Sequence, residues 1–352
     1  NEWASLFPAT AMRDSNTHML TSVSIDLDEK DNRILLDNDE MRVTLFHKLY
    51  NSPLTIDGIS ITHDCGLLIK MASPCSFDRA VSIVQTICSF ISFCNDGFSE
   101  LLSLSYSFED GEAAVDCLGS FERVPLVTHS LNPNDIVFPL SFFGPSLGTV
   151  FDRWLSTEGR LAIARDIVTT LNNGTWNMPL DFAFTSIAQV LESLTKHDVD
   201  IHSLPEEQYQ LYRKTVLESI HSHEIRSWAA NRLNGNNKGQ ERLLKEFLDA
   251  NDDVVGWVLE DYRGTFVKLH VSTRNYYVHR GESATTLHST LGGEELRWHT
   301  WNCILICKLV VAKLMGFDSD SIVKAVARSA RWSRIRDKAL DTYTSHSKQP
   351  AS

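Results

Sequence analysis

From Pro145 to near the end of this 352-residue chain, apolar positions recur at three- and four-residue spacing with hardly a break. No other feature constrains the fold as strongly, because a helical period cannot lay one clean face on a sheet, where side chains alternate every second residue. Phe184, Ile187, Ala188, Leu191 and Leu194 form one stripe. Leu296, Thr300, Cys303, Cys307, Val310 and Leu314 form another, with the four-and-three repeat of a bundle core. The pattern predicts helices over 151–171, from Asp181, from Pro205 to about Leu233, over 240–248, over 265–280, and over 294–315 with Gly316 as the stop. Pro205 suits the first turn, where its missing N–H costs nothing. Asn234 to Gly239 reads as a loop.

Upstream the text is strand-like from Arg33 to about Phe121. Leu102, Leu104, Tyr106 and Phe108 alternate with serines, as in a half-buried strand. One helix interrupts it, announced by Pro74 and Ser76 and closed by Gly97, with Phe77, Ala80, Val81, Val84, Ile87, Cys88 and Ile91 on one stripe. The fold class is therefore α+β: an N-terminal mixed, β-rich domain over 1–145, a helical connector over 146–178 and a helical bundle over 179–340. The chain opens at Asn1 without Met, as an incomplete N-terminus would.

Composition narrows the function. Ile304 to Met315, among the longest apolar runs, carries Lys308 and Lys313, and none approaches the roughly 18–20 residues of a membrane helix; the expectation is a soluble intracellular protein. A net charge of −12 supplies no general attraction to nucleic acid or anionic lipid, so any phosphate binding must be local. Seven cysteines without a C-x-x-C pair argue against a disulfide framework and a structural zinc site. Buried free thiols in a reducing compartment are the plainer reading.

Several motifs fall away. His221-Ser222-His223-Glu224 could ligate a metal, but histidines two apart on a helix point to different sides, and no H-E-x-x-H spacing occurs. Phosphate-binding glycine loops are absent. Neither a metal nor a cofactor is expected. The basic stretch Lys324, Arg328, Arg331, Arg334, Arg336 and Lys338 is read first as a solvated helix face and second as an RNA backbone contact.

What remains is Arg274-Asn275-Tyr276-Tyr277-Val278-His279 within a predicted helix. Similar Arg-to-His spacings occur by accident: Arg42 to His47 lies in a strand-like run, Arg123 to His129 contains Pro125, and in Arg263 to His270 the Arg precedes Gly264. Asn275 and His279, four apart, share a helix face, and the long Arg274 side chain can bend to the same point. A cation, an amide and an imidazole would then surround one anion. The alternative is an exposed arginine and a satisfied histidine on a packed helix.

RNYYVH resembles the R-x(4–6)-H signature of the HEPN superfamily of helical-bundle domains, including the polar residue after the Arg. Glu192-Ser193-Leu194-Thr195-Lys196 is similar to the E-x-x-x-K pattern of HEPN ribonucleases; without that resemblance it is a simple i,i+4 surface pair. The helix from Phe77 to Phe93, Asp152-Arg153-Trp154-Leu155 and Gln189-Val190-Leu191-Glu192 resemble the layout of ApeA-like prokaryotic defence proteins, in which an α+β sensor domain precedes the HEPN domain.

The resemblance implies a cytoplasmic, metal-independent endoribonuclease of anti-phage abortive infection, cutting RNA by attack of a ribose 2′-hydroxyl. His279 would exchange the proton, Arg274 would stabilise the phosphorane and Asn275 would position either. Lys196 would attract backbone phosphate, and Glu192 would hold Lys196 or Arg274. It also implies a homodimer with a composite site, no membrane and an activator of phage origin. Two other classes stand beside it: a HEPN module that binds nucleotide or RNA without cutting, and a protein-interaction module, for which Arg274 buried in an ion pair would speak.

Overall fold

The computed structural model describes residues 9–13, 20–25, 33–51, 61–97, 105–106, 115–116, 136–172, 178–233, 235–279 and 290–348. They form an α+β chain that divides into two compact units. One comprises Asn1–Thr157, Asn172–Gly174 and Ala312–Arg331, the other Glu158–Leu171, Thr175–Val311 and Trp332–Ser352.

In the first unit β1 (Ala9–Arg13) pairs antiparallel with β2 (Leu20–Ile25). β3 (Arg33–Asp37), β4 (Met41–Asn51) and β5 (Ile61–Met71) form an antiparallel sheet in that order. Met41, Val43 and Leu45 are buried while Arg42 is exposed, the period of two that gives a sheet one apolar face. β6 (Ser105–Tyr106) pairs with β7 (Val115–Asp116). The rest of the alternating serine-rich run around them, like the Arg123 to His129 pair, lies outside the described residues.

α1 (Phe77–Asn95) begins as its sequence predicts, with the Ser76 hydroxyl accepting from the Arg79 N–H and Asp78 in the first turn. Its end differs: the left-handed residue is Asp96, at φ 51°, ahead of Gly97. The Asp96 carboxylate accepts from Asn172 Nδ2 at 2.6 Å and its carbonyl from Arg331 at 3.2 Å. Asp is one of the few residues that tolerate this backbone, and its contacts offset the cost. At 19 residues α1 is also long and apolar enough to cross a membrane, which corrects the expectation that no run approaches that length. Here Ile83, Val84, Ile87, Phe90 and Phe93 pack into the core.

After α2 (Leu140–Phe143) comes α3 (Leu147–Ser156), which seats Phe151 and Trp154 against Phe90, with ring centroids 5.1 and 5.3 Å away. A Cβ at Gly148 would stand 3.5 Å from the Leu35 carbonyl oxygen, so α3 lies close on β3. Phe317 closes this aromatic core, 4.9 Å from Phe143. The single helix expected over 151–171 is two, α3 and α4 (Gly159–Asn172): Thr157 is extended and Gly159 has φ +64°. Gly alone adopts that conformation without penalty.

The second unit is helical: α4, then α5 (Leu180–Asp198), α6 (Glu206–Ser219), α7 (His223–Arg232), α8 (Gln240–Ala250), α9 (Asp252–Leu259), α10 (Arg263–His279), most of α11 (Gly293–Leu314) and α13 (Ala330–Ser347), while α12 (Ser319–Arg328) belongs to the first. The helix expected from Pro205 to Leu233 breaks at Ile220, where Ser222 caps α7 by accepting from the Ile225 N–H. His221 thus stands outside any helix and His223 opens one, so they do not share a helix as expected. α5, α8 and α10 pack pairwise. In α11 every residue from Asn302 to Ala312 is buried, so this part of the helix is buried on every face and not along the stripe alone. Of the basic stretch, Arg331 donates to the Asn172 carbonyl, and Arg336 pairs with Glu260, donates to the Trp257 carbonyl and lies over the Trp257 ring. Those two are structural, not part of a solvated face.

Candidate active site

α5 buries the predicted stripe of Phe184, Ile187, Ala188, Leu191 and Leu194, and Ala183 beside it, and so carries Glu192 and Lys196 at its margin. They are one turn apart, and Lys196 Nζ donates to Glu192 Oε1 at 2.7 Å. On α10 the buried Phe266, Val267, Leu269, His270 and Thr273 fix the helix, which leaves Arg274 at the edge of the packed face. Its Nη2 donates to Glu192 Oε2 at 3.0 Å and its Nη1 to Asn275 Oδ1 at 3.2 Å. One carboxylate therefore holds two cations, each through its own oxygen. Glu192 is 33% exposed, Lys196 44% and Arg274 20%. Burial raises the Glu192 pKa, but Lys196 and Arg274 outweigh it and hold the carboxyl below its ordinary 4.5.

These residues line one wall of an open-mouthed pocket with about 480 Å³ of empty space, mouth included. Leu191, Leu243, Leu244 and Val271 make it apolar, Gln240 stands on α8, and His270 also lines it. The structure thus brings together Glu192, Lys196, Arg274 and Asn275. His279 is the last residue of α10, and its side chain lies outside the described residues. The Tyr277 ring meets Phe184 edge-on at 5.8 Å and its hydroxyl donates to the Leu291 carbonyl at 3.4 Å, so it packs inside its own bundle.

Sequence reasoning passed over a second cluster one turn before Arg274. His270 Nδ1 is 3.3 Å from His299 Nε2 and 3.6 Å from Cys303 Sγ. His299 Nδ1 is 3.0 Å from Tyr343 Oη, which also accepts from Asn302 Nδ2 at 3.1 Å. His270 is 5% exposed and the other four 0%. Burial, aided by the Arg274 charge, pushes His270 down to about 4, and burial holds His299 well below 6.5, so both rings are neutral near pH 7. The sequence signal for it is His299-x-x-x-Cys303, two metal-type donors four apart on one helix face, a spacing that matches neither C-x-x-C nor H-E-x-x-H.

This helical domain anchors an arginine and a lysine on one carboxylate beside an apolar pocket. Residues 185–321, which contain Glu192, Lys196 and the whole of Arg274 to His279, match the model of the Apea-like HEPN family, and the C-terminal region carries an Apea-like HEPN domain. HEPN domains are generally ribonucleases. No curated protein and no solved structure matches the chain.

Proposed function

We propose that this chain is an endoribonuclease that cleaves single-stranded RNA by 2′-hydroxyl transesterification without a metal in the reaction, as an anti-phage abortive-infection effector in the cytoplasm. The observation that supports it best is the Glu192 carboxylate bridging Lys196 and Arg274 within the HEPN match. Arg274 directs two of its five N–H groups to Asn275 and Glu192, which fixes the guanidinium plane. The others are left to hold phosphate oxygens as the phosphorane gains charge. Lys196, the most exposed of the three, draws the backbone in. His279 takes the 2′-hydroxyl proton or gives one to the departing 5′-oxygen, each transfer contributing about 10²–10⁴-fold. The P–O5′ bond breaks as the 2′-oxygen bonds to phosphorus, which leaves a 2′,3′-cyclic phosphate. One imidazole cannot be base and acid in one turnover, so two motifs face each other in a homodimer.

The Arg274 ion pair also suits a protein-interaction module, in which the arginine only braces α5 against α10. Incubating the protein with total RNA in EDTA, beside His279→Ala, separates the two. The nuclease gives cyclic-phosphate ends that the variant does not, whereas Mg²⁺-dependent 5′-phosphate products or uncut RNA would reject it.

A further inference from the structure

We propose that His270, His299 and Cys303 form a Zn²⁺ site inside the helical bundle, distinct from the Glu192–Arg274 cluster. Tetrahedral Zn²⁺ lies about 2.0–2.1 Å from nitrogen and about 2.3 Å from sulfur, which puts two nitrogen ligands about 3.3–3.4 Å apart and nitrogen and sulfur about 3.5–3.6 Å apart. His270 Nδ1 stands 3.3 Å from His299 Nε2 and 3.6 Å from Cys303 Sγ, so two edges of the triad already have tetrahedral lengths. All three donor atoms lie within 4.8 Å of one another.

Hydrogen bonding alone accounts poorly for this convergence. Nδ1 of an imidazole has one lone pair or one proton, so it forms one good bond, yet an imidazole nitrogen and a thiol both press on His270 Nδ1. A cation at their centre accepts a lone pair from each. The outer contacts fit as well. A metal-bound histidine commonly gives its other N–H to an oxygen, and Tyr343 Oη lies 3.0 Å from His299 Nδ1, which leaves Nε2 free to ligate. Asn302, in the same network, has a buried Oδ1 without a hydrogen-bond partner among the described residues. His299 and Cys303, one turn apart on α11, supply a rigid pair and α10 the third ligand. His270 also lines the open pocket, so one of the three ligands borders it. Binding displaces the Cys303 thiol proton to solvent, and with neutral imidazoles the centre carries one net positive charge.

Protein purified without chelator and then loaded with Co²⁺ as a spectroscopic probe tests the site without RNA, so its outcome is independent of the nuclease reading. One equivalent of Zn²⁺ per chain is expected, and Co²⁺ should show tetrahedral visible bands with a thiolate-to-metal charge-transfer band. Cys303→Ser should abolish the charge-transfer band, and Tyr343→Phe should weaken metal affinity by about 10-fold or more. X-ray absorption on the unaltered Zn²⁺ protein should count one sulfur and two imidazole ligands, a result that stands even where a variant does not fold. Less than stoichiometric metal, a charge-transfer band that survives Cys303→Ser, or an all-nitrogen and oxygen shell would overturn the proposal.

Discussion

Glu192 is the residue on which the proposed cleavage site depends, because each of its oxygens restrains a different cation. Glu192→Gln keeps the shape and removes the charge; RNA cleavage should fall at least 10-fold, while the melting temperature moves by only a few degrees because the pair is partly exposed. Since its folded pKa is depressed, Glu192 stabilises the fold above pH 4.5 and loses that contribution as pH falls through the lowered value. The contribution is no more than about 1 kcal/mol after solvent screening. Urea midpoints of the protein and of Glu192→Gln, compared at pH 7 and below pH 4, should converge at the lower pH. Arg274→Lys tests the fork itself: a point charge holds one oxygen where the guanidinium holds two, so cleavage should drop by about 10²-fold or more with the fold intact. A large loss of stability in that variant would mark Arg274 as only a brace between α5 and α10.

At the scale of elements, the helices that position the site differ in how much they resist change. α1 is held by aromatic contacts: Phe90, 1% exposed, touches Phe143, Phe151 and Trp154. Phe90→Ala should destabilise the first unit by about 3–5 kcal/mol, read as an earlier denaturant midpoint. α6 and α7 are the opposite case, with no buried residue in α6 and only Ala229 in α7. Their boundary rests on local chemistry, and Ser222→Ala should cost about 1 kcal/mol by removing the α7 cap. The same local chemistry explains which boundaries could be read in advance. Ser76 and Pro205 announce helix starts through their own side chains. The interruptions at Thr157 and Ile220 carry weaker marks, Gly159 and Ser222, inside an apolar pattern that runs on regardless. α11 misled in the other direction: its four-and-three stripe is real, yet the remaining faces are buried too, including Lys308.

For the whole molecule, a composite site predicts that assembly and activity rise together. Mixing His279→Ala with unaltered protein should depress cleavage beyond simple dilution, because mixed dimers hold one of two imidazoles; a linear series and a monomer mass by light scattering would remove the two-chain mechanism. What the sequence alone determined about this protein is whatever depends on neighbours along the chain. The helical period after Pro145 settled the class of the C-terminal region, and Glu192 with Lys196 is an i,i+4 pair that forms wherever such a helix forms. Arg274 and Asn275 likewise were found from their spacing in a short motif. Tertiary structure alone decided what joins distant segments. Arg274 reaches Glu192 across 82 positions, a pairing that no periodicity contains. His270 comes within 3.6 Å of Cys303 only because α10 packs against α11. The Tyr277 ring meets Phe184, 93 positions away, a contact that no local pattern contains. Local hydrogen bonding and periodicity are properties of a few consecutive residues, whereas which cation meets which carboxylate depends on how helices cross, and that is set by the sum of many small apolar contacts.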